Sequence, residues 1–228
     1  MSVAHEERTI AVTVPKDKSE VISSFIPADF DVPTGREEEW RFTPLRRMKP
    51  LLTALPQNDG ATVEIDGDPA VIGVDAAQGP IQPGEWLVPV DVVSALAWAG
   101  AADTTLITIP PKTDLENPVT VTITGTSTSY QKLRVTIEHD SSATVVINHQ
   151  GTGQHAENIE VEVGARSQLK LVVIQDWDRD AVHLGRIHSH VGRDATLTQV
   201  VATFGGDLVR LVSTVDYDGL GGSAELLG

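Results

Sequence analysis

The 228-residue chain contains no cysteine, few aromatic residues and a shortage of basic side chains. Without cysteine it can form no disulfide, no thiolate metal site and no cysteine nucleophile. Apolar residues make up 40% of the sequence but aromatic residues only 4%, so its core must be aliphatic. The 17 basic residues against 32 acidic ones give a net charge of −15, which disfavours binding to nucleic acid or anionic membranes and favours protein partners.

Targeting signals and catalytic signatures are also missing. Glu6 and Glu7 lie where a secretory signal would carry basic residues, and no segment approaches the roughly 20 apolar residues that span a bilayer. The sequence has no Gly-x-x-x-x-Gly-Lys loop for a nucleotide phosphate and no Gly-x-Ser-x-Gly nucleophile turn. We therefore expect a cytoplasmic protein that is not an enzyme and that binds neither nucleic acid nor a membrane.

Residues 1–102 are predicted to form a smaller, mixed α/β region. A helix should end at Gly100, because apolar residues recur before it at helical spacing: Val92, Val93, Leu96, Ala97 and Ala99. Thr34 and Glu37 fit a capping box and indicate a second helix start. We expect that helix to dock on the body of the protein through its apolar side chains, Trp40, Phe42 and Leu45.

From residue 103 to residue 228 apolar and mostly polar positions alternate with unusual consistency. Even-numbered neighbours such as Arg134, Glu160 and Lys170 are polar, whereas the apolar residues are odd-numbered, as in Val119, Val121, Ile123, Leu133, Val135, Ile137, Val145, Ile147, Ile159, Val161, Leu169, Leu171, Val209 and Leu211. A period of two predicts β-strands with one buried and one wet face. These residues should form a mainly β domain.

A glycine motif recurs within this β domain. Gly, a small residue three positions later and Leu two positions after that occur at Gly164, Gly192 and Gly221, with spacings of 28 and 29 residues. A repeat of this length on strand-like segments is typical of a β-solenoid, in which each coil buries its apolar face against its neighbours. An antiparallel sandwich is the alternative, but it has no reason to repeat one particular turn.

The densest cluster of candidate metal ligands comprises three histidines and three aspartates: His183, His188, His190, Asp176, Asp178 and Asp180. His188 and His190 point the same way on a strand, and the alternation places that face in solvent. Two imidazoles without a third ligand make a weak metal site, so solvated histidines are the preferred interpretation. His139 and His149 are interpreted as ordinary turn histidines at strand ends.

Glu160 and Glu162 are the candidates for carboxylate chemistry. Both face outward from one strand, as the acids of solenoid polysaccharide lyases and hydrolases do. They have no basic or sugar-stacking aromatic neighbour on that strand, so a solvated face is the preferred interpretation. We therefore assign no catalytic, cofactor-binding or metal-binding residue from the sequence.

Three stretches together resemble the SufB/SufD family of iron–sulfur cluster assembly proteins, with a closer likeness to SufD. The first contains Glu39-Trp40-Arg41-Phe42-Thr43, the second contains Ile107-Thr108-Ile109-Pro110, and the third contains Gly205-Gly206-Asp207. Their order along the chain matches the family. The first two full stretches are residues 36–45 and 107–119, and the third consists of the segments 181–187, 205–210 and 220–228. The resemblance extends over nearly the whole sequence.

The resemblance implies a right-handed parallel β-helix, a single-stranded β-solenoid, preceded by the mixed region 1–102 and spanning 103–228. It also implies a non-catalytic scaffold subunit of the SUF complex. In that family SufD pairs with SufB through the β-helix, and each binds a copy of the ATPase SufC. This chain alone would then bind no cofactor, and the full complex would handle the iron–sulfur cluster.

The sequence departs from the family in length, because full members are longer and this chain stops in mid-repeat at Gly228. The later coils, the cluster-site histidine and the SufC-binding helices would lie beyond that residue, so no functional residue is carried over. We expect this 228-residue piece neither to bind SufC nor to support cluster assembly. Its open solenoid edges should favour self-association, including a homodimer.

Two other functions remain open at the level of sequence. A polysaccharide-binding or polysaccharide-cleaving β-helix would call for a secretion signal and an aromatic-lined groove, and the sequence indicates neither. A filament-forming structural solenoid would form long polymers at high concentration. Genes for a SufB-like protein and an ATPase beside this one would distinguish the SUF assignment from both.

Overall fold

The computed structural model describes residues 22–53, 60–68, 71–78 and 87–228; the acidic pair Glu6 and Glu7 lies outside them. Two short 3₁₀ helices come first, followed by two α-helices and twelve β-strands in the described residues. Their bounds are Pro27–Asp29 and Glu38–Trp40 for the 3₁₀ helices, then α1 Leu45–Thr53, β1 Ala61–Asp66, β2 Gly73–Gln78, α2 Val92–Gly100, β3 Asp103–Ile109, β4 Val119–Gly125, β5 Thr128–Ile137, β6 Ser142–Gly151, β7 Gln154–Val163, β8 Gln168–Trp177, β9 Val182–Val191, β10 Thr196–Thr203, β11 Leu208–Tyr217 and β12 Ser223–Leu227.

Strands β3 to β12 wind into a parallel β-solenoid. Even-numbered strands from β4 to β12 form one sheet in the order β4-β6-β8-β10-β12, and odd-numbered strands form the other in the order β11-β9-β7-β5-β3. Each coil therefore contributes one strand to each sheet. Strands β1 and β2 pair antiparallel with β4 and β3 and extend the sheets at one end. The prediction of a mainly β solenoid behind a small α/β region is confirmed.

The odd-numbered residues fill the interior between the two sheets, as the alternation predicts. Stacked residues such as Val121 and Ile147, or Val135 and Val161, are at most 1% exposed. Each fully buried aliphatic side chain contributes roughly 1.5–3 kcal/mol relative to an exposed one. This aliphatic interior, not the helical region, holds the coils together.

One corner of the coil repeats with the same backbone geometry. A residue with positive φ occurs at Lys112, Asp140, Arg166, Asp194 and Gly221, and the backbone N–H of the first four donates to a carbonyl in the next coil. A small residue follows at Ser141, Ser167, Ala195 and Gly222. The corners at Gly164 and Gly192 are confirmed as stacked equivalents, since a Cβ at Gly192 would touch the backbone of Gly164.

The third predicted repeat is shifted relative to the first two. Ala224, not Leu226, pairs with Leu197, and Leu226 pairs with Gln199. Gly221 takes the positive-φ position of Asp194 and not the position of Gly192. The sequence motif is therefore out of register by two residues at this corner, because the backbone requirement for positive φ sets the alignment.

The N-terminal region packs on the outer face of the β3-to-β11 sheet, where α2 lies against β5, β7 and β9. Helix α2 is confirmed, and Asp91 and Ser94 form its capping box. The helix predicted from Thr34 and Glu37 is instead the 3₁₀ turn Glu38–Trp40, in which the Glu37 carboxylate accepts hydrogen bonds from Thr34. Neither nine-residue α-helix of the described residues is long enough to cross a bilayer.

The docking prediction for Trp40, Phe42 and Leu45 was right for two of its three residues. Trp40 is 4% exposed and belongs to a second apolar cluster that joins α1 and α2 to the sheet, and Leu45 is partly buried against it. Phe42 is 90% exposed and takes no part in docking. A 3₁₀ turn has three residues per turn, so side chains two positions apart point in different directions and Phe42 does not follow Trp40 onto the sheet.

Candidate metal centre

Four buried polar side chains converge inside the solenoid. His149 lies on β6, His155 and Glu157 on β7, and His183 on β9, and each is at most 2% exposed. All four residues are odd-numbered, so the pleat turns them into the interior with the aliphatic residues of the same strands. His155 and His183 are direct partners in the parallel ladder, which stacks one imidazole over the other.

The four side chains present their terminal atoms to one another. One ligand atom of each lies within 4.8 Å of the others. The Glu157 carboxylate is central: Oε1 is 2.8 Å from His149 Nε2 and 3.1 Å from His183 Nε2, and Oε2 is 3.6 Å from His155 Nε2. None of these Nε2 or carboxylate atoms forms a well-formed hydrogen bond in this arrangement.

The opposite ring nitrogens are held by a surrounding layer of polar groups. His155 Nδ1 is 2.6 Å from Ser129 Oγ, and His183 Nδ1 is 2.6 Å from Gln175 Oε1. Trp177 Nε1–H donates to the same Gln175 oxygen at 2.6 Å, which fixes the orientation of that amide. With its proton on Nδ1, His183 donates to Gln175 Oε1 and turns the lone pair of Nε2 towards Glu157. With its proton on Nε2, its Nδ1 accepts instead from Trp177 Nε1, which lies 3.2 Å away.

His149 can place its proton on either nitrogen. Its Nδ1 lies 3.2 Å from the carbonyl oxygen of Ile174 and 3.1 Å from Gln175 Nε2. The first contact stabilises a protonated Nδ1, and the second stabilises an unprotonated one. The cluster therefore accommodates a tautomer in which all Nε2 lone pairs point inward, as ligands of one ion require.

Burial sets the charge of the cluster. It lowers the pKa of His183 to about 3 against the attraction of Glu157, and it also lowers the pKa of His155. Burial by itself raises the pKa of Glu157, but the contacts with His149, His183 and His155 outweigh it and hold that pKa well below its usual value. At neutral pH Glu157 is thus ionised and His155 and His183 are neutral, the protonation states that metal ligands need.

The candidate residues that lie close together in the sequence do not come together as a cluster in the structure. Asp176 on β8 and Asp178 and Asp180 in the turn after it are exposed, whereas His183 on β9 is fully buried in the interior. His188 and His190 do lie on the outer face, but the prediction that they are solvated was wrong for His188. It is 7% exposed, with Nδ1 2.9 Å from Thr214 Oγ1 and Nε2 3.5 Å from Asp216.

The structure confirms the prediction for His139 and corrects those for His149 and for the pair Glu160 and Glu162. His139 is a turn residue bonded to Asp140, but His149 lies within β6 and belongs to the interior cluster, so its assignment as a turn histidine was wrong. Glu160 and Glu162 face outward yet are not freely solvated, because both approach Arg134 on the adjacent strand at 3.9–4.0 Å. An ion pair across strands explains them without a catalytic role.

Two features of the sequence indicate the interior cluster. His149, His155, Glu157 and His183 share the odd parity of the buried residues, so the alternation alone places them inside. His155 and His183 are separated by 28 residues, the spacing between the first two glycine corners, which predicts that they stack. A single strand does not reveal the cluster, because no strand carries more than two of the four ligands.

Fold and site define a class of protein: a parallel β-solenoid with an aliphatic interior that is interrupted by buried histidines and one carboxylate. Residues 120–228 match the family described as "SUF system FeS cluster assembly, SufBD core domain". These residues therefore belong to the SufBD core family, and the resemblance seen in the sequence is confirmed.

Curated relatives carry the same family name. The chain is 40% identical over 219 residues to an iron-sulfur cluster assembly SufBD family protein of Mycobacterium bovis and to one of Mycobacterium tuberculosis. It is 34% identical over 216 residues to one of Mycobacterium leprae. These alignments include 93–94% of this chain but only 55% of each relative, so the chain spans about half the length of the relatives it matches. No solved structure matches it significantly.

Proposed function

We propose that the chain acts as a non-catalytic, SufD-like scaffold subunit of the SUF machinery in the cytoplasm. Its proposed partners are a SufB-like subunit and, through the SufC-binding helices that the family carries outside the 228 residues, a SufC-like ATPase. The observation that carries this proposal is the likeness to three proteins named for iron–sulfur cluster assembly, which extends over at least 93% of this chain. The cluster itself is the cargo of the complex and not a resident cofactor of this chain.

The chemistry of the chain supports a scaffold role. Without cysteine it offers no thiolate to accept sulfur or to hold a cluster, so those steps fall to partners. Without a phosphate-binding Gly-x-x-x-x-Gly-Lys loop, ATP hydrolysis also needs a separate subunit. What remains is a rigid, acidic solenoid, which suits protein assembly better than catalysis.

Two of the family-like stretches meet in the folded chain. Arg47, just after the first stretch, donates from Nη1 to the backbone oxygen of Asp207 at 2.8 Å. Arg210 lies 4.0 Å above the ring of Trp40 and donates to the backbone oxygen of Glu39 at 3.3 Å. These contacts join segments more than 150 residues apart, so the stretches share one structural role: fixing the N-terminal region on the solenoid.

The proposal is tested on the protein in its own cell. An affinity tag added at the chromosomal gene should recover a SufB-like protein and a SufC-like ATPase in near-equal amounts. Depletion of the protein should lower the activity of a [4Fe–4S] enzyme such as aconitase, while malate dehydrogenase, which has no cluster, keeps its activity. Recovery of the tagged protein without either partner, together with unchanged aconitase activity after depletion, would contradict the proposal.

A further inference from the structure

We propose that His149, His155, Glu157 and His183 bind one divalent first-row transition-metal ion inside the solenoid. The ligands are the Nε2 atoms of the three imidazoles and the carboxylate of Glu157. This inference does not depend on the proposed function, since the geometry of the four side chains carries it. It concerns a mononuclear ion held by nitrogen and oxygen, not an iron–sulfur cluster.

The first support is that the cluster has the dimensions of a four-coordinate site. Bonds of about 2.0–2.1 Å to a tetrahedral ion place its ligand atoms about 3.3 Å apart. The three contacts of Glu157 with the Nε2 atoms are 2.8, 3.1 and 3.6 Å, and the whole set lies within 4.8 Å. Small side-chain rotations therefore suffice to place all four atoms around one ion.

The second support is an electrostatic problem that an ion resolves. In the tautomer with the proton on Nδ1, His183 Nε2 presents a lone pair to a carboxylate oxygen at 3.1 Å, and neither buried Glu157 oxygen accepts a well-formed hydrogen bond. An isolated carboxylate in a dry interior is costly, and two facing lone pairs repel. A divalent cation between them converts both unfavourable contacts into bonds.

The third support is the layer around the ligands. Metal-bound histidines usually bond through their second ring nitrogen to a carbonyl, carboxylate or other polar group, which orients the ring. Ser129, Gln175 and the Ile174 carbonyl occupy those positions for His155, His183 and His149. All three rings are therefore held with Nε2 inward, a degree of organisation that three unrelated buried histidines would not require.

Gly185 keeps space open beside the cluster. An added Cβ there would lie 3.3 Å from Glu157 Cγ, 3.4 Å from His183 Nε2 and 2.6 Å from Leu211 Cδ2. The residue does not have positive φ, so backbone conformation alone does not demand glycine. The absence of a side chain leaves Glu157 and His183 room to adjust around an ion.

The donor set determines which ions fit. Three imidazoles and one carboxylate suit Fe²⁺, Co²⁺, Ni²⁺, Cu²⁺ and Zn²⁺, whereas Mg²⁺ and Ca²⁺ prefer ligand shells made of oxygen. The site has no thiolate, so it lacks the soft ligand that selects Cu⁺ or a cluster. We therefore expect it to discriminate between transition-metal and alkaline-earth ions.

The test is a Co²⁺ titration of the metal-free full chain, followed by visible absorption. The expected result is one Co²⁺ per chain with the absorption of a four-coordinate ion, displaced by Zn²⁺ but not by excess Mg²⁺. The variants E157Q and H183A should each weaken Co²⁺ binding by about a hundredfold or more, beyond the effect of losing a surrounding hydrogen bond. Circular dichroism establishes that each variant is folded.

Matched controls come from the exposed turn just before the corner residue Asp140. E138Q and H139A make the same chemical changes at Glu138 and His139, outside the interior, and should bind Co²⁺ like the parent. If H183A does not fold, the nearly isosteric E157Q decides. A folded parent chain that binds no Co²⁺, or equal affinity of E157Q and E138Q, would overturn the proposal and leave a proton-sharing cluster in place of a metal site.

Discussion

Trp40 is the residue through which the N-terminal region is anchored to the solenoid. It is 4% exposed, and the Arg210 guanidinium lies 4.0 Å from its ring centre. We expect W40A to lower the free energy of unfolding by about 3–5 kcal/mol, because it removes a buried indole and leaves a cavity. Urea unfolding followed by circular dichroism measures the loss.

Phe42 provides the matched control for Trp40. It is an aromatic residue two positions away but 90% exposed, so F42A should change the free energy of unfolding by no more than about 0.5 kcal/mol. The guanidinium–indole contact adds about 0.5–2 kcal/mol, which R210A should remove. Similar losses for W40A and F42A would show that the anchor lies elsewhere.

The sequence predicted correctly which face of a strand a side chain takes, because the alternation within one strand determines it. The parity of Ile147 and Val161 placed both correctly inside the solenoid, since the pleat alone decides which face a side chain takes. The parity of His188 was also correct, but its burial was not, because Thr214 and Asp216 on the next strand cover it. Contacts between coils depend on register, which a single strand does not reveal.

At the scale of elements, the Gly205-Gly206 turn sets the distance between two coils. A Cβ at Gly205 would lie 1.8 Å from the backbone oxygen of Trp177, and Gly206 has φ of +100°. G205A should therefore destabilise the chain by about 3 kcal/mol or more, because backbone atoms must move to admit the methyl group. The turn also supports Trp177, whose indole bonds Gln175 beside the interior cluster.

Gly73 is the matched glycine for that test. It lies in β2, and a Cβ there would be 3.7 Å from the Thr108 side chain, an ordinary contact. G73A should stabilise the chain by about 0.5–1 kcal/mol, since alanine loses less backbone freedom than glycine within a strand. Thermal and urea unfolding of both variants give the comparison, and the same sign for G205A and G73A would refute the steric argument.

The glycine repeat could be predicted from the sequence, but the alignment of the third corner with the first two could not. The spacing of Gly164 and Gly192 predicted a solenoid because stacked corners need the same small residues. The third corner was misaligned because Gly221 satisfies the positive-φ position, which Arg166 and Asp194 occupy in earlier coils. A polar residue can also occupy that backbone position, so glycine alone does not mark it in the sequence.

On the scale of the whole molecule, the net charge and the exposed strand edges have opposite effects on self-association. In the described part of the chain, β11 and β12 are the last strands of their sheets, and nearby apolar side chains are exposed, including Leu220 at 85% and Leu227 at 47%. Such edges favour pairing with another chain. The net charge of −15 opposes it, and salt screens that repulsion over about 10 Å at 0.1 M.

The 228-residue chain should therefore self-associate with rising concentration, and more strongly at high than at low ionic strength. Sedimentation velocity at several concentrations and two salt levels measures both dependences. L227K should weaken association by placing a charge on the edge strand, whereas V32K adds the same charge at an exposed residue outside any strand and should leave it nearly unchanged. A strict monomer at every concentration and salt level, or equal effects of the two lysines, would show that the edges of β11 and β12 do not pair.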